Sequence, residues 1–303
     1  MRDNLQPDPS VIGGVPRAPF VFLPDPITLF QTRARRFAFL AETSELGGYL
    51  KFLGEISALQ ARLAVMLPEV TPFSPAKQKT AALVEMPPID RATLVKDVTL
   101  SQTLDALFEG ASELAMPEPA KLALSALRAA DKDDRQWLLS NILSDQVPED
   151  SVAPHIFVAA AVELHMARLA STLDETALVR IRTGVCPVCG GKPATSTVMG
   201  TQGIENVRYA ACSACATQWN EVRVKCLCCD STKGISYRSV DTHEATVKAE
   251  VCKECNSWLK IFYRVKNPTL DAIADDVGSL GLDILMKDTE FRRFGFNPYL
   301  TGY

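Results

Sequence analysis

Apolar residues recur at helical spacing through the first half of the chain and alternate at strand spacing in the second. Over 26–42, Leu29, Phe30, Phe37 and Leu40 share one face, and Asp25-Pro26 supplies an N-cap with Pro at the first helical position. Over 45–67, Leu46, Leu50, Leu53, Ile56, Leu59 and Leu63 form a second stripe, which Pro68 ends. Shorter helices are predicted over 76–84, 91–95, 101–113, 120–130 and 134–144, the last with Trp137 buried. A long one follows over 154–173, with Phe157, Ala161, Leu164 and Leu169 facing inward. Strands are predicted over 195–198, 207–210, 219–224, 235–240, 245–251 and 258–265, and a last helix over 270–285. Its apolar positions are Ile273, Val277, Leu280, Ile284 and Leu285. The aromatic tail that follows, with Phe294, Phe296 and Tyr299, is expected to dock.

The strand-rich half carries all nine cysteines of the chain. Eight of them form four Cys-x-x-Cys pairs: Cys186/Cys189, Cys212/Cys215, Cys226/Cys229 and Cys252/Cys255. The last two pairs repeat the first two at a constant offset of 40 residues, so the unit Cys-x2-Cys-x22-Cys-x2-Cys occurs twice in tandem. A Cys-x-x-Cys turn aims two sulfurs at one point, and two such turns make the tetrahedral tetrathiolate of a zinc ribbon or a rubredoxin-type iron site. Disulfides would need an oxidising compartment. Residues 1–26 show no basic segment followed by an apolar run, so no export signal is read and a reducing cytoplasm is expected.

The fold expected is therefore α+β and multidomain. An extended lead (1–24) precedes an all-α domain (25–180). Two rubredoxin-like or zinc-ribbon modules (181–224 and 225–266) and a C-terminal helix with its docking tail (267–303) follow. Only ten residues separate Cys215 from Cys226, so the two ribbons must sit together. A ribbon this small needs bound metal for much of its stability.

Composition narrows the function. A net charge of −4 and a pI near 5.5 argue against a general nucleic-acid binder. Residues 181–266 hold 12 Lys and Arg against 7 Asp and Glu, but each divalent tetrathiolate site carries −2 and nearly cancels that surplus. No run of 18 uninterrupted apolar residues occurs, so no membrane insertion is expected. There is no phosphate loop, no nucleophile elbow and no pair of poised acids, and a closed four-sulfur site leaves no open position for hydrolytic chemistry, so no enzyme is read here. His155 and His165 lie ten residues apart on their helix and read as packed or capping residues rather than ligands. Arg33, Arg35 and Arg36 read as a solvated face, with a partner surface as the other reading.

Several motifs together resemble the FdhE family of formate dehydrogenase accessory proteins. They are Tyr209-x2-Cys212-x2-Cys215-x3-Trp219, Arg223-Val-Lys-Cys226, Val247-Lys-Ala-Glu-x-Cys252-x2-Cys255, Leu259-Lys260, Ala274-Asp-Asp276 and Phe296-Asn-Pro298. In the helical half, Phe30-x2-Arg33-Ala-x-Arg36 and Tyr49-Leu-x-Phe52 look like that family's opening helices. The resemblance implies a cytoplasmic maturation chaperone that binds the catalytic subunit of the molybdenum-dependent respiratory enzyme before export. It implies two metal sites, and the repeat pairs the ligands within each unit: Cys186, Cys189, Cys212 and Cys215 for one and Cys226, Cys229, Cys252 and Cys255 for the other. It favours iron, where spacing alone allows zinc. Cys228 stands where the first repeat has Val188 and reads as a spare thiol. A rubredoxin-like electron carrier or redox sensor is the alternative, and a homodimer stays open.

Overall fold

The computed structural model describes residues 18–201, 203–240 and 244–300. Most of the expected lead therefore lies outside the described residues, as does the end of the tail. The helical layer begins with a hairpin of α1 (Pro26–Ala41) and α2 (Gly47–Met66). Asp25 caps α1 by accepting from the Thr28 N–H at 2.7 Å. Six helices follow: α3 (Pro75–Leu83), α4 (Arg91–Leu94), α5 (Val98–Ala111), α6 (Glu118–Ala129), α7 (Lys132–Leu143) and α8 (Val152–Ala170).

α8 is buried almost throughout and packs against α2, α5, α6 and α7. With the turn before it, it is long and apolar enough by composition to cross a membrane, yet most of it is core here. His155 accepts or donates to Ser151 and Asn141 at its two ring nitrogens, a local capping role. His165 is fully buried with neither nitrogen hydrogen-bonded, and Asp97 Oδ1 stands 4.0 Å off.

That burial, which outweighs the attraction of Asp97, pushes the His165 pKa down from 6.5 to about 4. The folded chain thus prefers the neutral ring. The stability this confers is complete above pH 6.5 and is lost as pH falls from there towards 4, by up to about 3 kcal/mol. Urea melts at pH 7 and pH 5 should show His165→Leu losing less stability than the wild type. Equal losses in the two proteins would contradict this.

Among the described residues the second layer is one eight-stranded sheet. Its strands are β1 (Val21–Phe22), β2 (Pro193–Thr201), β3 (Ile204–Cys212), β4 (Gln218–Glu221), β5 (Ile235–Arg238), β6 (Val247–Cys252), β7 (Ser257–Tyr263) and β8 (Arg292–Arg293). Each repeat forms an antiparallel trio, β2-β3-β4 and β5-β6-β7. The trios join where β2 runs parallel to β7, with Ser196 opposite Ile261. The short β1 closes the far edge on β4, and β8 lies parallel to the start of β7. The two ribbons are thus one continuous sheet.

The C-terminal helix departs from expectation. It is broken into α9 (Ala274–Gly278) and α10 (Leu280–Lys287), with Ser279 non-helical between them. The break turns Ile284 and Leu285 outward while Leu282 and Met286 pack on the sheet. Lys260 of β7 lies at the break, its Nζ donating to the carbonyls of Asp276 and Ser279 at 2.6 and 3.2 Å. Trp137 is also half exposed, because Leu138, Leu139, Ile142 and Leu143 take the core side of α7. The tail does dock: Tyr299 and Leu300 are buried, and Tyr49 Oη donates to the Tyr299 carbonyl.

α1 is not a solvated basic face. Arg33 is buried and donates to Glu163 of α8 at 2.5 Å and to Asp271 at 3.2 Å. Arg36 grips Asp275 with two nitrogens. Only Arg35 of the three is exposed. These partners lie between 130 and 239 residues away, beyond the reach of any local pattern.

Candidate metal centres

The four knuckles close into two cages, one per repeat. In the first, Cys186 and Cys215 Sγ are 3.6 Å apart and Cys189 and Cys212 Sγ 3.5 Å. In the second, Cys226 and Cys255 stand at 3.7 Å and Cys229 and Cys252 at 3.8 Å. Within each set all four sulfurs lie within 4.8 Å of one another, and none forms a disulfide. A tetrahedron with metal–sulfur bonds near 2.3 Å has edges of about 3.8 Å, so a four-coordinate metal fits both cages.

The knuckles repeat in backbone as well as in sequence. Gly190 and Asp230, 40 residues apart, both take positive φ and donate their N–H to the carbonyls of Cys186 and Cys226. Ala216 and Asn256 do the same for the second knuckles in φ. The turns aim N–H groups at sulfur: Ala214 N–H at Cys212 Sγ (3.4 Å) and Cys228 N–H at Cys226 Sγ (3.3 Å). Two hydroxyls continue the offset. Thr217 Oγ1 lies 3.2 Å from Cys215 Sγ, and Ser257 Oγ lies 3.0 Å from Cys255 Sγ. Both can donate to a thiolate. The 40-residue repeat marks this pair as it marks the cysteines, with Thr in one unit and Ser in the other.

The two cages sit in different surroundings. All four cysteines of the first are buried and join the main hydrophobic core. Burial, followed by its neighbouring thiols, pushes the Cys186 thiol well up, so a cation in the cage is what would favour its thiolate. Arg91 approaches from α4, held bidentate by Asp145, whose Oδ2 also accepts the Lys192 N–H. Burial opposes its charge, but Asp145 and the sulfurs of Cys189 and Cys212 keep the guanidinium protonated. The second cage is shallower. Cys229 and the adjacent Cys228 are exposed, and Cys228 lies outside the four-sulfur set.

Gly184 sits between the cages with φ +68, and its N–H donates to Glu221 Oε1 at 3.0 Å. A Cβ there would collide with the Leu227 carbonyl oxygen of the second cage's first knuckle. Gly203 has a similar φ of +76 but open space. Thermal melts should therefore place Gly203→Ala at about 1–2 kcal/mol of destabilisation, the left-handed backbone cost alone, and Gly184→Ala at more than twice that. Equal losses would show that the close approach does not matter.

The comparisons agree with this architecture. Family profiles match residues 18–183 as "FdhE, N-terminal", 185–223 as "FdhE, central domain" and 224–300 as "FdhE, C-terminal domain". The chain belongs to the FdhE family. It is 53% identical over 301 residues to the "Protein FdhE homolog" of Rhizobium meliloti (strain 1021), covering 99% of this chain and 98% of that one. It is 34% identical over 287 residues to "Protein FdhE" of Escherichia coli (strain K12 / DH10B), covering 90% and 88%. The crystal structure of the FdhE protein from Pseudomonas aeruginosa superposes with a TM-score of 0.84 at 30% identity, over 93% of this chain and 99% of that one. FdhE membership supports an accessory role toward formate dehydrogenase, and the FdhE fold here brings together all eight of the cysteines singled out from the sequence. It also shows what local patterns did not: Arg91 beside the first cage.

Proposed function

We propose that the chain is a non-catalytic maturation chaperone that holds the catalytic subunit of a molybdenum-dependent formate dehydrogenase in the cytoplasm before export. Eight of its nine cysteines serve as ligands of two metal ions. Iron is the metal the family likeness favours and zinc the alternative; a bound ion supplies the fold with a four-way crosslink and, if iron, a single electron. The observation that carries the reading is the pair of closed four-sulfur cages set in an FdhE framework. Such cages leave no position for substrate, so their chemistry is to stiffen a surface. The first cage is tied to the helical layer by Lys192 N–H donating to Asp145 Oδ2 at 3.2 Å and by Ile89 N–H donating to the Val188 carbonyl at 3.0 Å, so metal at that site supports both layers.

The test is capture of purified catalytic subunit under anaerobic conditions. Wild type should retain it, and Cys252→Ser/Cys255→Ser should not. Full capture by that variant, with full dehydrogenase activity in cells that carry it, would count against the reading. A second reading, an electron carrier or redox sensor, is favoured by one feature: Cys229 at the surface brings the second cage within reach of a redox partner. A reversible, partner-dependent reduction of that site would support it.

A further inference from the structure

A cavity of about 700 Å³ opens where α1 faces the first cage and the segment 264–273. Its floor is apolar, from Leu29, Leu270 and Ile273. Ala211, Cys212 and Ala216 form one wall, so the cavity's shape depends on the first cage. Four arginines line it, Arg33, Arg35, Arg36 and Arg264, against a single lining carboxylate, Asp271. Arg33 and Arg36 are neutralised by Glu163, Asp271 and Asp275. Arg35 and Arg264 are not. Arg35 donates to the Thr32 hydroxyl at 3.2 Å, and Arg264 donates to the Pro268 carbonyl at 3.1–3.2 Å. Among the described residues no carboxylate pairs with either.

Arg35 is also the shared wall of a second hollow, of about 590 Å³, between α1 and α2. Arg62, Val65 and Met66 complete that hollow, and the two apolar side chains are 66% and 75% exposed. Arg62 too has no carboxylate partner among the described residues. The chain as a whole carries −4, so this surface reverses its sign locally. Planar guanidinium forks without carboxylates take a carboxylate side-on, and the hollows beside them take apolar side chains. Arg35 borders both hollows, so an extended ligand lying over it would reach apolar surface on either side, where a small ligand of the usual size fills a single cleft.

The geometry points to a docking groove for an extended polypeptide segment in which acidic and apolar side chains alternate, seated across Arg35 and Arg264. This rests on the maturation reading for the identity of the partner, and on the groove itself for its chemistry. The probe is a fluorescein-labelled dodecapeptide alternating Glu and Leu, titrated into the full-length protein. Companions carry Lys for Glu, or Ser for Leu. The Glu/Leu peptide should bind about ten-fold or more tightly than either companion, and less tightly as salt rises. Arg35→Glu/Arg264→Glu should invert the preference toward the Lys/Leu peptide, which a merely misfolded variant cannot do. Equal binding of the Glu and Lys peptides, or an unchanged preference in the variant, overturns the inference. So does self-association that the same two substitutions abolish, which would make a second copy the occupant. Purified dehydrogenase subunit provides the separate arm. Capture by wild type and not by the variant supports the groove. Equal capture by both overturns the groove and leaves the maturation reading standing. Capture by neither sinks the maturation reading, and the peptide preference still decides the groove.

Discussion

Cys186→Ser is expected to lower the melting temperature by about 10 °C or more and to release the first metal. Binding in a structural tetrathiolate site is worth about 10–16 kcal/mol, comparable to the whole stability of a typical domain. Losing one sulfur forfeits a large part of that. A loss of about 5 kcal/mol corresponds to a shift of about 10–20 °C at this size. The first cage should be the more sensitive, because Cys186 is fully buried in the core that both layers share. The matching change at the second cage, Cys226→Ser, frees a site that borders solvent at Cys229 and should cost less. Melts of both variants, with metal content measured on each, decide the matter. An unchanged melting temperature for Cys186→Ser would mean that the first cage is not a crosslink.

Asp276→Ala is expected to destabilise the chain by about 3–5 kcal/mol, as breaking a buried ion pair from one side does. Asp276 is wholly buried. Its carboxylate stands 3.1 Å from Lys260 Nζ and 2.5 Å from Arg293 Nη2, and accepts from Asn297 Nδ2 at 2.9 Å. Burial alone would raise its pKa, but Arg293 and Lys260 outweigh burial and hold it below the usual value. Asp283 pairs with the same two cations, so two carboxylates balance two cations inside the protein. Deleting one leaves a buried positive charge unmatched. Chemical denaturation reads the loss directly, and a change under about 1 kcal/mol would place the network in the range of surface ion pairs instead.

Lys260 and Asp276 also show where a sequence stops being informative. Leu259-Lys260 and Ala274-Asp-Asp276 were visible as family-like motifs, but nothing local says that one meets the other. A lysine in a strand alternating apolar and polar residues reads as solvent-facing. Here β7 is the centre of the sheet, covered on both faces, so its lysine is buried and must find oxygen, which it takes from the end of α9. The same reasoning covers Arg33 and Arg36, whose partners come from α8, the segment before α9 and α9 itself. By contrast, the other helices and the six longer strands were legible to within a few residues, because they follow from 3.6- and 2-residue spacing and from Pro and Asp caps; the two-residue β1 and β8 and the break between α9 and α10 were not. The cages were legible because a tandem repeat ties four positions to one offset. Arg91 was not, since its relation to Cys189 and Cys212 exists only after α4 folds against the first knuckle.

The most direct test of the account is native alkylation of the anaerobically purified protein, read by mass spectrometry beside its metal content. Two metal ions per chain are predicted, with Cys228 alone labelled and the other eight cysteines protected until a chelator strips the metal. A folded, metal-free chain in which those eight thiols react as readily as Cys228 would contradict it.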